Sequence, residues 1–453
     1  MKPAPKTYQV RSSGCQMNVY DGERMGEVMA AQGLRPAVEG EAADLVILNT
    51  CHIREKATEK VYSDIGRLRK DARVADRPAP MIAVAGCVAQ AEGPEMAARP
   101  GVDIVVGPQA YHNLPALVAA AARGEPAVDT DMPAASKFGA LPARRRVGPS
   151  AFLTVQEGCD KFCTYCVVPY TRGAEISRPW DALIDEAKAL VDAGAREITL
   201  LGQNVNAWSD GSRGLHDLIG ALDRLPGLAR IRYTTSHPND MTQGLIDAHR
   251  DVAALMPFLH LPVQAGSDRV LRAMNRSHTR DSYLALLDRV RAARPDIALS
   301  GDFIVGFPGE TEAEFAQTLS LVDAVGYAQA FSFKYSPRPG TPAAELAGQV
   351  PADVMDDRLA RLQAALNRDQ QAFNAASVGR SCDVLIERRG KLPGQMLGKS
   401  PWLQSVHLLT DAPVGALVPV ELVRADPNSL AGVALSSDAG ARFPILATAV
   451  QAA

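Results

Sequence analysis

Long apolar runs are missing from this sequence. No uninterrupted apolar stretch approaches the roughly 18 residues that a membrane-spanning helix needs. The first six residues carry two lysines with no apolar core behind them, which is not typical of a secretory signal. Internal repeats and low-complexity tracts are also absent. These absences predict a cytoplasmic chain that has no membrane partner.

A strong charge of either sign is missing as well. The 453 residues include 48 Lys and Arg against 51 Asp and Glu, a formal net charge of −3. This balance does not indicate a nucleic-acid binder overall, although it is compatible with a local basic patch. With 47% apolar and 22% charged residues, the composition excludes a mostly disordered, collagen-like or coiled-coil chain. The length predicts about three domains.

Cysteines are few but not randomly placed. An odd number, seven, in a reducing compartment disfavours a disulfide framework. Three are widely spaced, three are packed together, and one stands alone in the C-terminal part of the chain. In that order they are Cys15, Cys51 and Cys87; Cys159, Cys163 and Cys166; and Cys382. Such clustering indicates metal binding or catalysis rather than cross-linking.

The first part of the chain, residues 6–122, predicts a doubly wound α/β domain. Continuous apolar strands at 8–11, 45–48, 82–85 and 102–106 alternate with helical stretches at about 20–32 and 54–69. This alternation is typical of a parallel sheet covered by helices on both faces. A segment rich in Pro, Gly and Ala follows at 123–148 and is interpreted as a linker.

The next region, 149–376, predicts six βα units and therefore a partial (β/α)6 barrel. Strand candidates lie at 152–155, 197–201, 231–235, 258–263, 299–305 and 330–334. After a polar helix at 352–375 the pattern changes to short β-rich runs separated by Gly and Pro. Residues 377–441 are therefore predicted to form a small all-β barrel. The fold class is α/β with a C-terminal β-barrel.

The widely spaced cysteines each follow a predicted strand. Because strand carboxyl ends form one edge of a parallel sheet, Cys15, Cys51 and Cys87 are expected to converge. Three converging thiolates predict an iron–sulfur or other metal site. The alternative is three small buried thiols. The equal spacing of 36 residues is also that of a βαβ unit and can reflect sheet geometry alone.

The clustered cysteines form a C-x3-C-x2-C loop after the first barrel strand. Three thiolates on one short loop fit three corners of a four-iron cluster and leave one iron open to a small molecule. Zinc is the alternative, but no local His or fourth Cys completes its usual four ligands.

This loop resembles the signature of radical S-adenosylmethionine (SAM) enzymes. Together with the upstream cysteines and the β-rich C-terminus, the chain resembles a radical SAM methylthiotransferase over roughly residues 6–440. Its 14–18 and 49–51 stretches are similar to the branch that modifies dimethylallylated adenosine in tRNA rather than to the branch that modifies a ribosomal protein. The other matching stretches are 53–57, 86–90, 166–173, 200–206 and 261–264.

The resemblance implies two [4Fe–4S] clusters and SAM as cofactors. Cys159, Cys163 and Cys166 would bind the radical SAM cluster, and the three upstream cysteines an auxiliary cluster that carries or donates sulfur. One SAM would methylate this sulfur and a second would supply the 5′-deoxyadenosyl radical. The implied product is the 2-methylthio derivative of N(6)-dimethylallyladenosine at position 37, next to the anticodon.

Contacts to SAM are expected from three polar residues. Glu175 and Arg178 lie in a stretch, 172–179, that matches a family motif near SAM, and Gln203 follows the second barrel strand. Many radical SAM enzymes have Gly-Gly-Glu at that last position, where this chain has Gly-Gln-Asn. A solvated turn and a helix cap are the structural alternatives for the 172–179 stretch.

The C-terminal region resembles a TRAM domain, a small RNA-binding β-barrel. Between 379 and 400 five basic side chains oppose two acidic ones, and Arg388, Arg389 and Lys391 are the predicted phosphate contacts. Trp402 is predicted as a core residue rather than a base-stacking one, and Cys382 as an ordinary strand residue. The run Arg144-Arg145-Arg146 is either a tRNA contact or a solvated linker.

The predicted partners are tRNA carrying the dimethylallyl group and a flavodoxin-like electron donor, and the chain is expected to be a monomer. Two alternatives stay open. One is a methylthiotransferase that acts on another tRNA adenosine or on a ribosomal protein. The other is a metal-bearing RNA-binding protein without catalysis, which accounts for the basic C-terminus but not for the barrel and its cysteine loop.

Overall fold

The structure, a computed structural model, describes residues 3–52, 55–132, 137–144 and 147–435. They form two compact units divided between Gln370 and Gln371, a few residues before the predicted boundary at 377. No helix among the described residues is long and apolar enough to cross a membrane.

The N-terminal region is a six-stranded sheet in which every pair of neighbouring strands is parallel, in the order β2-β1-β3-β4-β5-β6. Its strands are β1 Thr7–Ser13, β2 Arg35–Pro36, β3 Leu45–Thr50, β4 Met81–Ala85, β5 Ile104–Val106 and β6 Val128–Asp129. Its helices are α1 Gln16–Ala31, α2 Glu55–Val74, α3 Cys87–Ala91, α4 Gly93–Ala97 and α5 Leu114–Arg123. Two apolar clusters cover the two faces of the sheet, as a doubly wound fold requires.

Two predictions in this region need correction. Helix α1 begins at Gln16 rather than near residue 20, because Cys15 already stands at its N-cap in extended conformation. The predicted linker 123–148 is partly structured. It contributes β6 to the sheet and a 3-10 helix at Lys137–Ala140, in which Lys137 is buried. Arg145 and Arg146 lie outside the described residues.

The barrel region has six main strands, as predicted, in two parallel three-stranded sheets ordered β13-β10-β7 and β14-β15-β16. These strands are β7 Ser150–Thr154, β10 Glu197–Leu201, β13 Arg230–Tyr233, β14 Phe258–His260, β15 Ala298–Val305 and β16 Gln329–Lys334. An isolated parallel bridge joins Ile231 of β13 to Leu255, three residues before β14 begins. Four two-residue strands make local ribbons: β8 Gln156–Glu157, β9 Ile176–Ser177, β11 Ser209–Asp210 and β12 Arg213–Gly214.

The helices described in the barrel region are α6 Val168–Arg172, α7 Trp180–Asp192, α8 Leu215–Leu222, α9 Gln243–Asp251, α10 Asp268–Ala273, α11 Arg280–Ala293, α12 Glu312–Val325 and α13 Ala352–Ala376. All of them except α6 and α10 bury apolar side chains in one large core with the barrel strands. Thr242, Thr279 and Thr311 cap α9, α11 and α12 with their side chains.

The sheet and the barrel belong to one compact unit rather than to two separate bodies. Met17 and Tyr20 of α1 form a buried cluster with Leu201 at the end of β10. The Thr154 hydroxyl lies 3.8 Å from the sulfur of Met17. This packing brings the carboxyl edge of the sheet beside the first two strands of the barrel.

The C-terminal unit contains a closed five-stranded barrel, as predicted, in the order β17-β18-β19-β21-β20. Its strands are β17 Ser381–Arg389, β18 Gln395–Lys399, β19 Ser405–Leu409, β20 Leu417–Asp426 and β21 Ser429–Ala434. Alternate residues such as Val384, Ile386, Val420 and Leu422 fill its interior. The predicted end of this domain, 436–441, lies outside the described residues.

Candidate functional site: two cysteine triads

Sheet register brings the three upstream cysteines, here called the sheet triad, to one edge. Ser13 pairs with Thr50, and Asn49 pairs with Ala85, so that β1, β3 and β4 end at the same level. Cys15, Cys51 and Cys87 each follow these strand ends within two residues. The parallel register therefore places the three thiols together, as the sequence predicts.

Glycines allow the sheet triad to approach so closely. Gly14 has a φ of +118°, and a Cβ built there would lie 2.3 Å from the Cβ of Cys51. Gly86 has a φ of +86°, and its Cβ would lie 2.4 Å from Oδ1 of Asn49. Side chains at either position would push the strand ends apart, since both the backbone conformation and the space require glycine.

Electrostatics differ among these thiols. A hydrogen bond with Cys51 lowers the pKa of Cys15 to about 6; burial opposes this shift, and Arg172 reinforces it. Burial raises the pKa of Cys87, and Arg172 opposes that shift both through its charge and through a hydrogen bond. An arginine from the barrel region therefore acts on two members of the sheet triad.

The other three cysteines, here called the loop triad, lie on an eight-residue loop that follows β8. Gly158 precedes it with a φ of +75°, and a Cβ there would lie 1.9 Å from the carbonyl oxygen of Ala174. Phe162 adopts a positive φ of 47°, and the amide of Cys166 donates to the carbonyl of Cys163 at 2.9 Å. These turns wrap the loop so that all three thiols interact electrostatically.

Burial dominates the chemistry of the loop triad. It raises the pKa of Cys159 to about 11 and that of Cys166 to about 12, and the neighbouring Cys163 adds to both shifts. Buried neighbouring thiols of this kind become thiolates when a cation binds, because a cation stabilises their charged form.

Arg276 is a site residue that the sequence did not reveal. Its guanidinium is 3.7 Å from the sulfur of Cys163 and donates to the carbonyl of Pro262 at 2.7 Å. It lies 113 residues from Cys163 along the chain, after α10. Nothing in its local sequence distinguishes it, since only the barrel brings it to the loop.

Both triads fit an iron–sulfur cluster by the chemistry of their donors. Each offers three sulfur donors, and a buried arginine lies beside each set: Arg172 at the sheet triad and Arg276 at the loop triad. Within the described ranges, no three His, Cys, Asp or Glu side chains lie at a spacing that would let them share one metal ion.

Two of the predicted SAM contacts lie at the loop triad. The side-chain carbonyl of Gln203 accepts the amide of Gly158 at 2.7 Å, next to Cys159. The backbone amide of Glu175 donates to Asp160 within the loop at 3.0 Å. Burial raises the pKa of the half-buried Glu175 carboxyl, and the charge of Asp160 adds to the shift.

Arg178, the third predicted SAM contact, is held by backbone and side chains of the barrel region. Its guanidinium donates to the carbonyl of Thr154 and to Glu186, both at 2.7 Å, and stacks 4.1 Å from the ring of Phe138. It is buried, and its own carbonyl accepts from Trp208. These contacts fix the guanidinium between β7, α7 and Phe138.

A polar network beside the loop was not foreseen either. Lys161, inside the loop, forms an ion pair with Asp240 at 2.7 Å, and Asp240 also accepts from Asn204 at 2.8 Å. A hydrogen bond from Asn204 opposes the raised pKa of Glu175. This network connects the cysteine loop to the ends of two barrel strands.

In the C-terminal barrel, Arg388, Arg389 and Lys391 are exposed at and just after the end of β17. Trp402 is buried, and the guanidinium of Arg380 lies 3.8 Å from its ring, which confirms the prediction of a core residue. Cys382 lies within β17, which confirms the prediction of a strand residue.

Comparison with known proteins is consistent with both regions. The profile of Uncharacterized protein family UPF0004 matches residues 7–107, and that of the Radical SAM superfamily matches 153–322. The radical SAM methyltransferase TsrM from Kitasatospora setae, solved with cobalamin and a [4Fe–4S] cluster, is similar with a TM-score of 0.56. That match covers 76% of this chain and 77% of TsrM at 15% identity, and it shows the fold alone.

Two curated relatives are far more similar in sequence. The tRNA-2-methylthio-N(6)-dimethylallyladenosine synthase of Novosphingobium aromaticivorans is 72% identical over 95% of this chain and 97% of the relative. The protein of the same name from Erythrobacter litoralis is 69% identical over 96% of this chain and 99% of the relative. The chain therefore belongs to the family of tRNA-2-methylthio-N(6)-dimethylallyladenosine synthases.

Proposed function

We propose that this chain is a tRNA methylthiotransferase that converts N(6)-dimethylallyladenosine at position 37 into its 2-methylthio derivative. One observation carries the proposal: two cysteine triads, each beside a buried arginine, lie in the same compact unit. A sulfur-transfer reaction that activates a C–H bond needs both a radical source and a sulfur source. The names of the relatives supply the substrate.

The proposed cofactors are two [4Fe–4S] clusters and SAM. The loop triad would hold the cluster that binds SAM, and the sheet triad the auxiliary cluster. When bound, these groups supply a radical at carbon 2 of the adenine and a methylated sulfur to replace its hydrogen. The chain itself supplies surroundings in which Cys51, Cys87 and Cys163 are buried and the other three cysteines are partly buried, which limits the access of water to reactive species.

Glu175, Gln203 and Arg178 are the proposed SAM contacts. Gln203 already fixes the amide of Gly158, so it orients the start of the cysteine loop. The half-buried Glu175 carboxylate is suited to the ammonium group of SAM, since its present surroundings disfavour an unpaired charge. Arg178 is the third proposed contact, and its guanidinium is held in place by Thr154 and Glu186.

We further propose that the C-terminal barrel binds the tRNA backbone through Arg388, Arg389 and Lys391. Exposed cations on a rigid strand end suit phosphate contacts whose strength depends on salt. The remaining proposals are domains at 6–122, 149–376 and 377–441, a monomer in the cytoplasm, and a flavodoxin-like electron donor.

Nucleoside mass spectrometry tests the proposal. Reconstituted protein, SAM and a reductant are incubated anaerobically with tRNA that carries the dimethylallyl group. We expect that nucleoside to gain one methylthio group, and we expect the variant C15A/C51A/C87A to release 5′-deoxyadenosine without forming the product. Methylthiolated product from this variant contradicts the role of the sheet triad.

The same assay separates the alternatives. Release of 5′-deoxyadenosine by the wild-type protein without methylthiolation keeps the radical SAM chemistry and directs the search to another tRNA adenosine or to a ribosomal protein. Absence of both products, in protein that holds iron and sulfide, favours a metal-bearing RNA-binding protein without catalysis.

A further inference from the structure

Four charged side chains form a buried network, here called the charge quartet. Arg172 pairs with Asp21 at 2.6 Å and with Glu157 at 3.2 Å, while Lys137 pairs with the same Glu157 at 2.8 Å. Lys137 and Asp21 are fully buried, and Arg172 and Glu157 expose 2% and 4% of their side chains. Two positive and two negative charges leave the quartet neutral as a whole.

The charge quartet lies between the two triads. Asp21 belongs to α1, the helix that starts directly after Cys15, and Glu157 stands two residues before Cys159. Arg172 ends α6, the short helix that follows Cys166, and α6 packs against α3, whose first residue is Cys87. The quartet therefore connects the elements that carry the sheet triad to those that carry the loop triad.

Burial of so many charges is costly unless each is paired, so the pairing fixes Arg172 in place. Its carbonyl accepts from the side chain of Gln109 at 3.0 Å, which anchors its backbone as well. Lys137 is held by the carbonyl of Pro108 at 2.7 Å and by the ring of Tyr111 at 4.4 Å. The guanidinium of Arg172 therefore holds its positive charge at a fixed position beside the proposed cluster site.

We propose that Arg172 is a positioning residue that sets the reduction potential of the auxiliary cluster on Cys15, Cys51 and Cys87. The charge of Asp21 opposes its effect. This inference rests on the proposed function, because it requires a cluster at the sheet triad. Arg172 belongs to the barrel region yet acts on the sheet triad.

The physical reason is electrostatic. Reduction adds an electron to the cluster, and a nearby cation stabilises the more negative state, so Arg172 raises the potential and Asp21 lowers it. Both residues lie beside the sheet triad: the side chain of Arg172 is hydrogen-bonded with Cys87, and Asp21 lies on α1, which starts directly after Cys15. Neutralising either Arg172 or Asp21 changes the net charge beside the cluster, and the reduction potential shifts with that charge.

An EPR-monitored potentiometric titration tests this inference in the full-length C159A/C163A/C166A protein, reconstituted with iron and sulfide. In this background only the auxiliary cluster contributes. We expect R172Q to make reduction at least tenfold less favourable, a shift of about 59 mV to more negative potential for one electron. We expect D21N to shift the potential in the opposite direction and R172Q/D21N to return it towards the starting value.

Two controls separate charge from packing. R172K keeps the positive charge and is expected to shift the potential less than R172Q does. Arg232 forms a buried ion pair at 2.9 Å with Glu197, the first residue of β10, at the end of that strand opposite the cysteine loop. R232Q is expected to leave the potential unchanged.

The outcomes separate a failure of the proposed function from a failure of the inference about Arg172. If the background protein binds no cluster, the proposed function fails at the sheet triad and this inference fails with it. If the cluster is present and R172Q leaves its potential unchanged, the inference alone is overturned. If R172Q does not fold, D21N decides: a positive shift supports the inference, and no shift contradicts it.

Discussion

The two cysteine triads are assembled in opposite ways. The loop triad lies within eight consecutive residues, so local turns bring its sulfurs together. The sheet triad comes from three strand ends that are separated by two βαβ crossovers, so only the register of the whole sheet brings its sulfurs together. A local site depends on a few backbone angles, whereas a distributed site depends on every element between its ligands.

Two glycines each shape one triad and not the other, and replacing them is expected to cause the greatest change, the loss of one cluster. In G14A the new Cβ meets Cys51, and in G158A it meets the carbonyl of Ala174. We expect G14A to lose the iron of the sheet triad and G158A that of the loop triad, each keeping about half of the wild-type iron. Iron analysis with EPR checks this.

Gly66 provides the matched control for these two variants. It lies within α2, and nothing is found within 4 Å of a Cβ built there. G66A is expected to retain all of the iron. Loss of both clusters in G14A would show that the two sites are not independent.

Arg276 offers a sharper test of the loop triad. R276M removes the donor to Cys163 and to the carbonyl of Pro262, while R276K keeps the charge. Without the cation the reduced cluster is less stable, so we expect roughly tenfold slower cleavage of SAM in R276M and a smaller effect in R276K. The measurement is 5′-deoxyadenosine release under fixed reductant, and an equal loss in both variants would argue against the electrostatic role.

Acid is expected to weaken the barrel through His249. Burial lowers the pKa of His249 to about 3, and its Nε2 lies 2.7 Å from the hydroxyl of Tyr233. The unfolded chain takes up a proton below its ordinary pKa of about 6.5 while the folded chain does not, so stability falls as pH falls from 6.5 towards 3. The loss amounts to about 2 kcal/mol between pH 6.5 and 5.

Chemical denaturation at pH 7 and at pH 5 measures this difference. H249Q is expected to be less stable at pH 7 and to lose less stability on acidification than the wild type. The partly exposed His216 serves as the control, and H216Q should keep the wild-type pH dependence. The same acid sensitivity in H249Q and in the wild type would contradict the assignment.

The smallest effect is expected in the C-terminal barrel. R388E/R389E should weaken tRNA binding roughly tenfold at low salt and less at high salt, because phosphate contacts release counterions. The control is R424E in the same barrel, where Arg424 pairs with Asp426 at 3.0 Å. Filter binding at two salt concentrations checks the prediction, and equal effects of both variants would remove the proposed patch.

Local sequence was sufficient for the loop triad and for most strands, since continuous apolar runs and the cysteine spacing depend on neighbouring residues. Convergence of the sheet triad also followed from the rule that parallel strands end at one edge. The two-residue strand β6 could not be predicted in this way, because Val128–Asp129 carries no apolar run and pairs only at the sheet edge.

The site contacts that could not be predicted from the sequence join residues that lie far apart along the chain. Arg172 occurs in a recognised stretch, but its pairing with Asp21, 151 residues away, is a property of the packed sheet and barrel. The bonds of Arg178 to Thr154 and Glu186 are likewise a property of the packed barrel. Buried polar side chains satisfy each other in the folded state, and that pairing is not encoded in local pattern.

Iron and sulfide content, combined with EPR, shows whether the chain builds two separate cluster sites. The measurement compares the wild-type protein with C15A/C51A/C87A and C159A/C163A/C166A, each reconstituted anaerobically. We expect about eight irons per wild-type chain and about four in each variant, with two distinct EPR signals that are lost one at a time. About four irons in the wild type, or loss of all iron in either variant, would contradict this expectation.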